Sequence, residues 1–312
     1  MMKRRFVPRN SQQMAQLPDK EPVNQWNSDH LYESIVHKPS CLTNFLHIII
    51  TSAADHQKER DVIRQTWCSS LQLIQPFLPP NSSVLIQCTF LIGQSSHLTT
   101  MQHIQDEIKT YNDILLGDYL DTYRNLTLKV LTGLHWSAKD CSSQYTLKTD
   151  DDCFVNSNVL LKVLLSQSDK RSHKSMYIGL NLDSLEHITV IRDPRSKWAV
   201  SIEEYAADYY PSYISGTGYL LSKYSTKQIV ELSRHHVPFP VEDAYIGVLA
   251  EKAGIKPEHS YRFTLVTQMW RTCNFLYLIL MHHVSRERQV EFQNLVKQAY
   301  TECGGQALTM KW

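Results

Sequence analysis

Nowhere in these 312 residues is there an uninterrupted apolar run of the roughly 18 to 20 residues that a membrane-spanning helix needs. The basic N-terminus, MMKRRFVPRNSQQ, carries none of the apolar stretch of a signal peptide. The strongest apolar runs, Phe45–Ile50 and Phe275–Met281, have strand length. As written, the chain is expected to be soluble. Neither sign of charge is in excess: 32 Lys and Arg face 31 Asp and Glu, a formal charge of +1. That balance removes long-range attraction as a basis for binding nucleic acid or an anionic membrane, and no nucleic-acid partner is expected. The seven cysteines, at 41, 68, 88, 141, 153, 273 and 303, contain no CxxC pair of the zinc type. They read as too few and too dispersed for a disulfide scaffold and leave the redox compartment open. A GxGxxG loop and a Walker lysine are also missing, which excludes the common glycine-rich phosphate cradles.

What is present is a globular composition, 42% hydrophobic, sufficient for a substantial core. Residues 1–43 are polar and lack sustained periodicity, the pattern of a poorly ordered tail or stem. From residue 44 the pattern alternates. Strands are expected at Phe45–Ile50 and Val84–Ile92 and before Asp150, with helices at Glu59–Ile74, Glu107–Leu116 and Leu120–Trp136 between them. Shorter strands at Met176–Leu180, Trp198–Ser201, Tyr213–Leu221 and Leu276–His282 follow, with helices at Ser225–His235, Asp243–Ala253 and Arg286–Tyr300. Alternation of this kind predicts an α/β fold, a mainly parallel sheet sandwiched by helices. One catalytic-sized domain spans residues 44–303, and 304–312 form a short C-terminal tail.

Three consecutive carboxylates, Asp150, Asp151 and Asp152, follow the apolar strand Tyr145–Leu147 directly. Acids so close repel one another unless a cation neutralises them, and a hard divalent ion with oxygen ligands is the usual one. Beyond them, Phe154-Val155 leads into an amphipathic helix capped by Asn156 or Ser157. The C-terminal end of a strand, just before a helix, is where open α/β sheets bind ligands. A second acid pair, Glu242-Asp243, opens a helix behind Pro238 and Pro240. Helix N-termini attract acids for electrostatic reasons alone, but one of the pair, turned into a cleft, has the chemistry of a general base. Tyrosines and glycines combine in Tyr209–Tyr219, where Gly216 and Gly218 permit close approach to the backbone. Arg60 and Arg64, at i and i+4 on one helix face, suit a diphosphate or nearby carboxylates. Two glycosylation sequons occur, Asn81-Ser82-Ser83 in a polar loop and Asn125-Leu126-Thr127 inside a helical pattern.

In order, RDVIRQTW, FLIG, EIKTYNDILLGDYLDTYRNLT, KTDDDCFV, RSKWAVS, YPSYISGTGYLLS and VEDAYIGVLAEKAGI resemble the β-1,3-galactosyltransferase family of inverting glycosyltransferases. The resemblance runs from about Phe45 to His283. It implies a GT-A fold, a UDP-sugar donor, and Mn²⁺ bound through a DxD-type motif matched here by Asp150, Asp151 and Asp152. By the same resemblance Asp152 ligates the metal with a late histidine, His282 (His283 as the fallback), while Asp150 and Asp151 help hold the donor. Asp243 is implied as the base, Arg60 and Arg64 as helpers at the UDP leaving group. Trp198, Tyr213, Tyr219, Gly216, Gly218 and Glu242 are the implied sugar and acceptor pocket.

The family's members are typically type II membrane proteins of the Golgi, which makes the Golgi lumen and membrane association the expectation, although these residues contain no anchor. Two positions at which relatives commonly carry cysteine are Ile214 and Leu249 here, consistent with a disulfide replaced by an apolar contact. The implied activity is transfer of galactose from UDP-galactose to a glycan on protein or lipid, in β-1,3 linkage, and SGTGY and SKW lean toward galactose. Transfer of N-acetylglucosamine or N-acetylgalactosamine, a metal-dependent phosphoesterase, and a glycan-binding protein without turnover are the alternatives.

Overall fold

The computed structural model describes residues 26–42, 45–69, 86–171, 175–182, 188–265 and 270–303. Its centre is a seven-stranded sheet. Strand β1 (Leu46–Thr51) runs parallel to β2 (Ile86–Gln94) and β4 (Tyr145–Asp150), and β3 (Ile114–Leu120) extends β2 as a further parallel strand. On the other side β7 (Ile214–Ser222) pairs antiparallel with β4, β6 (Tyr177–Asn181) antiparallel with β7, and β8 (Glu258–His259) parallel with β6. The order is β3-β2-β1-β4-β7-β6-β8, mostly parallel, as the alternating sequence pattern implies. A small second sheet joins β5 (Phe154–Val155), β10 (Leu280–Met281) and β9 (Phe263–Thr264).

All six residues of β1 are buried, the mark of a strand covered on both faces. Successive side chains of a strand point to opposite faces, so Ile48 and Ile50, Phe90 and Ile92, Ile114 and Leu116 enter one core. Ile49, Leu91 and Leu115 enter the other. The first core is closed by α2 (Gln57–Gln65), α3 (Leu98–Tyr111), α5 (Ser157–Arg171) and α8 (Arg286–Glu302). The second is closed by α1 (Asp29–Glu33), α4 (Leu126–Asp140), α6 (Lys223–Ser233) and α7 (Glu242–Lys252). Ile214 and Leu249, the positions of the absent cysteine pair, are both in this second core.

Four sequence expectations are corrected. Residues 26–42, assigned to a tail, are part of the folded body: Trp26 Nε1 donates to Ser233 O at 2.8 Å, Ser28 Oγ is 2.8 Å from His135 Nε2, and Leu31 is buried. Ile114–Leu120 is a strand rather than helix, because Asn112 adopts a left-handed conformation (φ 52°) that ends α3 and releases the apolar ILL run to β2. Trp198–Ser201 forms no strand. Two of its carbonyls are taken by a side chain, Arg192, which donates to Val200 O (2.9 Å) and Ser201 O (2.8 Å) and also to Ala207 O (2.7 Å) beyond the segment. The last strand shrinks to Leu280–Met281 behind a 3-10 turn at Thr272–Leu276.

The cysteines also depart from expectation. Cys41–Cys141, Cys68–Cys88 and Cys273–Cys303 are disulfides, and Cys153 is a buried free thiol. Dispersion along the sequence hid them, since the pairs are 100, 20 and 30 residues apart. Of the sequons, Asn81 lies outside the described residues. Asn125 is buried, with Nδ2 donating to Leu120 O at 2.9 Å, so the folded chain offers no amide for a glycan there.

Candidate active site

The parallel strands deliver their C-terminal ends to one edge of the sheet, and Asp150 is the last residue of β4 there. Lys148 and Asp150, two apart on the strand, share a face. The buried Lys148 Nζ donates to Asp150 Oδ1 (2.7 Å) and to Gly216 O on the adjacent strand, and it lies 3.6 Å from Glu242 Oε2. Burial alone would lower its pKa, but Asp150 and Glu242 hold the ammonium charged and above the ordinary lysine value. Thr51 Oγ1, from the end of β1, also donates to Asp150 Oδ1. Asp150 is thus fixed by two donors, Lys148 on its own strand and Thr51 on the neighbouring β1.

Asp151 turns away to His56, at the N-terminus of α2, with His56 Nδ1 2.9 Å from Asp151 Oδ2. The hydrogen bond with Asp151 raises the imidazole pKa against the opposing effect of burial. Next to this pair a cavity of about 280 Å³ is bordered by Asp151, Asp152, Glu59 and Arg286.

Asp152 faces the late histidines. His282 Nε2 is 3.3 Å and His283 Nδ1 3.5 Å from Asp152 Oδ2. His282 is held by its own backbone, N–H to Thr264 O at 3.1 Å, whereas His283 is exposed in a left-handed conformation, φ 57°. That φ is costly for a non-glycine residue; it turns the chain so that Val284 N reaches Asp152 O at 2.8 Å. The donor set fits a hard divalent cation: one carboxylate and an imidazole whose ligand atoms, with Cys153 Sγ, lie within 4.8 Å of one another. Cys153 is the odd member. Burial and then the charges of Asp150 and Asp152 push its thiol well above the usual value, and Sγ donates to Thr217 O at 3.3 Å, so it packs as a neutral group.

Across β7 stands the second acid pair. Asp243 Oδ2 accepts from Gly216 N at 2.8 Å and Oδ1 from Ala244 N at 2.9 Å, in the first turn of α7. Burial raises its carboxyl above the ordinary aspartate value. Glu242 is more deeply enclosed: Oε1 accepts from Tyr219 OH at 2.6 Å, and burial lifts its pKa to about 7 against the pull of Lys148. A Cβ on Gly216 would stand 3.2 Å from Asp243 Oδ2 and 3.3 Å from Glu242 Oε2, so this glycine keeps the space beside both acids open. Tyr123, which the sequence did not single out, stands near this group with Trp198. Its phenol is pushed up to about 12 by burial and by the charge of Asp243, and the Trp198 indole hydrogen-bonds to it. Trp198 itself is about half exposed, with Lys197 Nζ 4.7 Å from its ring centre.

Several expected site residues have other work. Arg60 is fully buried, its Nε and Nη2 on Glu107 (2.7 and 2.8 Å) and Nη1 on Ala53 O (2.6 Å), so it ties α2 to α3 and to the loop after β1. Arg64 pairs with Asp113 at 2.7 Å and with Glu107 and Asp61. Neither guanidinium is free for a diphosphate; of the two uses the i, i+4 spacing allowed, the carboxylates took both. Removing Glu107 would strand Arg60 in the core: Glu107→Ala is expected to lose about 3–5 kcal/mol, measurable by chemical denaturation. Tyr213 is core, packed against Tyr210 and filling the space a Cβ on Gly247 would need. Tyr219 is fully buried and Glu242 nearly so, which makes them support for the acids rather than a sugar platform. Gly218 packs a side chain instead of a ligand, since a Cβ there would meet Leu280 Cδ1 at 2.2 Å. Lys148 left a readable trace, being two residues before Asp150 on a strand; His56 and Tyr123 left none.

Asp152 facing a histidine at the end of a carboxylate triplet, with a separate acid on a backbone amide at the same sheet edge, fits group transfer, and comparison with known proteins makes the enzyme a glycosyltransferase. More closely, the chain belongs to the galactosyltransferase family, whose family model, described as Galactosyltransferase, matches residues 58–261. Beta-1,3-galactosyltransferase 1 of Mus musculus is 30% identical over 277 residues, 88% of this chain and 80% of that protein. Beta-1,3-galactosyltransferase 5 of Homo sapiens is 32% identical over 215 residues, 69% and 65% respectively. The solved galactosyltransferase LgtC, in complex with donor and acceptor sugar analogs, is a loose match: TM-score 0.37, 9% identity, 80% of this chain and 95% of that one.

Proposed function

We propose that the protein is a Mn²⁺-dependent inverting hexosyltransferase that moves galactose from UDP-galactose to a glycan acceptor on protein or lipid, in β-1,3 linkage. The observation that carries this is the placement of Asp243 on the Gly216 amide (2.8 Å), apart from the Asp152–His282 pair but at the same sheet edge. Inversion in one step needs a base for the attacking hydroxyl and, separately, charge compensation for the departing diphosphate. Asp243 Oδ takes the proton as the acceptor oxygen bonds to the anomeric carbon and the bond from that carbon to UDP breaks. Asp152 and His282 hold the metal, which when bound supplies positive charge to the diphosphate. Asp150, immobilised by Lys148 and Thr51, and Asp151, directed by His56, fix the donor side.

The Golgi lumen is the proposed compartment. Three disulfides support it, since such bonds persist in oxidising compartments. Among the described residues no helix is long and apolar enough to cross a membrane, so membrane association is proposed from the relatives alone. The test is UDP release by the purified protein against UDP-galactose, UDP-N-acetylglucosamine and UDP-N-acetylgalactosamine, with β-galactoside and N-acetylglucosaminide acceptors. Acceptor-dependent release from UDP-galactose, lost on chelation and restored by Mn²⁺, is the expected result. Release from an N-acetylated donor instead would reassign the sugar, and UDP-sugar binding without release across the panel would overturn the transferase reading.

A further inference from the structure

Between the proposed base and the proposed metal ligands, the sheet edge is floored by a single strand. Of the nine residues of β7 only Gly216 and Thr217 are open, the rest being buried. These two join the halves of the site. Gly216 N donates to Asp243 Oδ2 at 2.8 Å on the base side, and Thr217 O accepts from Cys153 Sγ at 3.3 Å, directly after Asp152, on the metal side. In a one-step inversion the anomeric carbon lies between the hydroxyl activated by the base and the diphosphate held at the metal. The transferred sugar therefore rests over Gly216 and Thr217.

That floor offers one side chain. Position 216 has none and no room for one, since a Cβ there would crowd Asp243 and Glu242. Thr217 follows it, half-buried, with Oγ1 3.2 Å from the Oγ of the buried Ser215. The backbone beneath is pinned from several directions. Gly216 O accepts from the buried Lys148 ammonium, and Thr217 O accepts from Thr149 Oγ1 at 3.0 Å as well as from Cys153. A side chain on a strand so held cannot retreat from a bulkier ligand, because a close-packed interior yields little.

We infer that Thr217 is a specificity-determining residue, whose side chain touches the transferred sugar at C2 and favours a hydroxyl there over an acetamido group. This rests on the transferase reading above and selects galactose over its N-acetylated alternatives. Galactose, N-acetylgalactosamine and N-acetylglucosamine differ at C2 and C4. C2 is bonded to the anomeric carbon and stays with it over the floor, whereas C4 lies across the ring. Size is the discriminator, because an acetamido N–H can donate to Thr217 Oγ1 as well as a hydroxyl can. The branched threonine side chain, held from beneath, occupies the space that the extra acetyl group needs, and a clash of that kind is how a site rejects the wrong ligand.

The test is calorimetric titration of the full chain in Mn²⁺ with UDP, UDP-galactose and UDP-N-acetylgalactosamine, the two donors differing only at C2. The unmodified protein is expected to bind UDP-galactose the more tightly. Thr217→Ala should cut that preference by about tenfold, through a gain in UDP-N-acetylgalactosamine affinity, the scale of one small group in a pocket. Thr217→Val, which keeps the branched shape and drops the hydroxyl, should retain it. UDP affinity, unchanged in both variants, separates a sugar contact from damage to the fold. A ratio that does not move in Thr217→Ala, that falls equally in Thr217→Val, or that moves only in step with UDP affinity overturns the inference. Tighter binding of UDP-N-acetylgalactosamine by the unmodified protein, or binding of neither donor, overturns it together with the galactose reading. The expected ratios without transfer to any acceptor would sink the transferase reading and leave the sugar contact standing.

Discussion

Asp243→Asn is expected to reduce galactosyl transfer by about 10²–10⁴-fold, the usual contribution of a positioned base, and to leave UDP-galactose binding unchanged. The isosteric amide keeps one oxygen for the Gly216 amide but loses the proton-accepting charge and turns an NH2 group toward a backbone that offers only N–H donors on both sides. Some stability is lost with it, because a carboxylate in the first turn of a helix contributes about 0.3–1 kcal/mol. Donor affinity measured alongside separates the two effects. A structural role alone would weaken both binding and transfer, whereas a base acts on transfer alone.

The pH profile gives a second readout of the same group. The proposed base acts as a carboxylate, and burial raises the Asp243 pKa, so transfer should fall with falling pH along a limb placed above that of an ordinary aspartate. Glu242 adds a stability effect of calculable sign. Its pKa rises from an ordinary 4.5 to about 7 on folding, so the folded state holds the proton more tightly. Its contribution to stability is fully present below about 4.5 and is lost as the pH rises through about 7. Full transfer by Asp243→Asn would remove Asp243 as the base.

The sequence made the sheet and the acids legible for different reasons. The apolar runs of β1 and β2, buried on both faces, are local signals, and so is a carboxylate triplet with no cheap structural excuse. What it concealed was mainly long-range. Whether Arg60 meets a phosphate or Glu107 depends on a partner 47 residues away, and no pattern within α2 distinguishes the two. Tyr219 and Tyr213 looked like sugar platforms because aromatic residues beside glycines serve both packing and binding. Burial decided the matter, and burial on a central strand follows from neighbours, here β4 and β6 on either side of β7. The three disulfides were missed for the same cause, their partners being near only after the chain has folded. The strand β3 was lost to a local ambiguity, because the ILL run suits a buried helix as well as a strand and only the left-handed Asn112 separates them. At the site, the acids were readable, and Lys148 left a trace two residues before Asp150, while Thr51 and His56, which fix their positions, had to be found by contact.

Asp152→Ala should abolish Mn²⁺-dependent binding of UDP-galactose. Removing a partner outside the ligand shell of a metal site costs about 10–100-fold in metal affinity, so removing a ligand should exceed the upper end of that range. Mn²⁺ affinity, followed by electron paramagnetic resonance in the absence of any sugar, reads this without reliance on turnover. His282→Ala and His283→Ala divide the remaining question, since both rings approach the same oxygen, at 3.3 and 3.5 Å. His282 is the better placed: its side chain is only 16% exposed and its amide is fixed on Thr264, whereas the His283 side chain is 75% exposed. A ligand whose orientation is set before the ion arrives loses less freedom on binding. His282→Ala is therefore expected to fall with Asp152→Ala, and His283→Ala to keep Mn²⁺ affinity near that of the unmodified chain. The opposite ranking would move the second ligand to His283 and give its left-handed backbone a functional cause; unchanged affinity in all three variants would place the metal elsewhere at this edge.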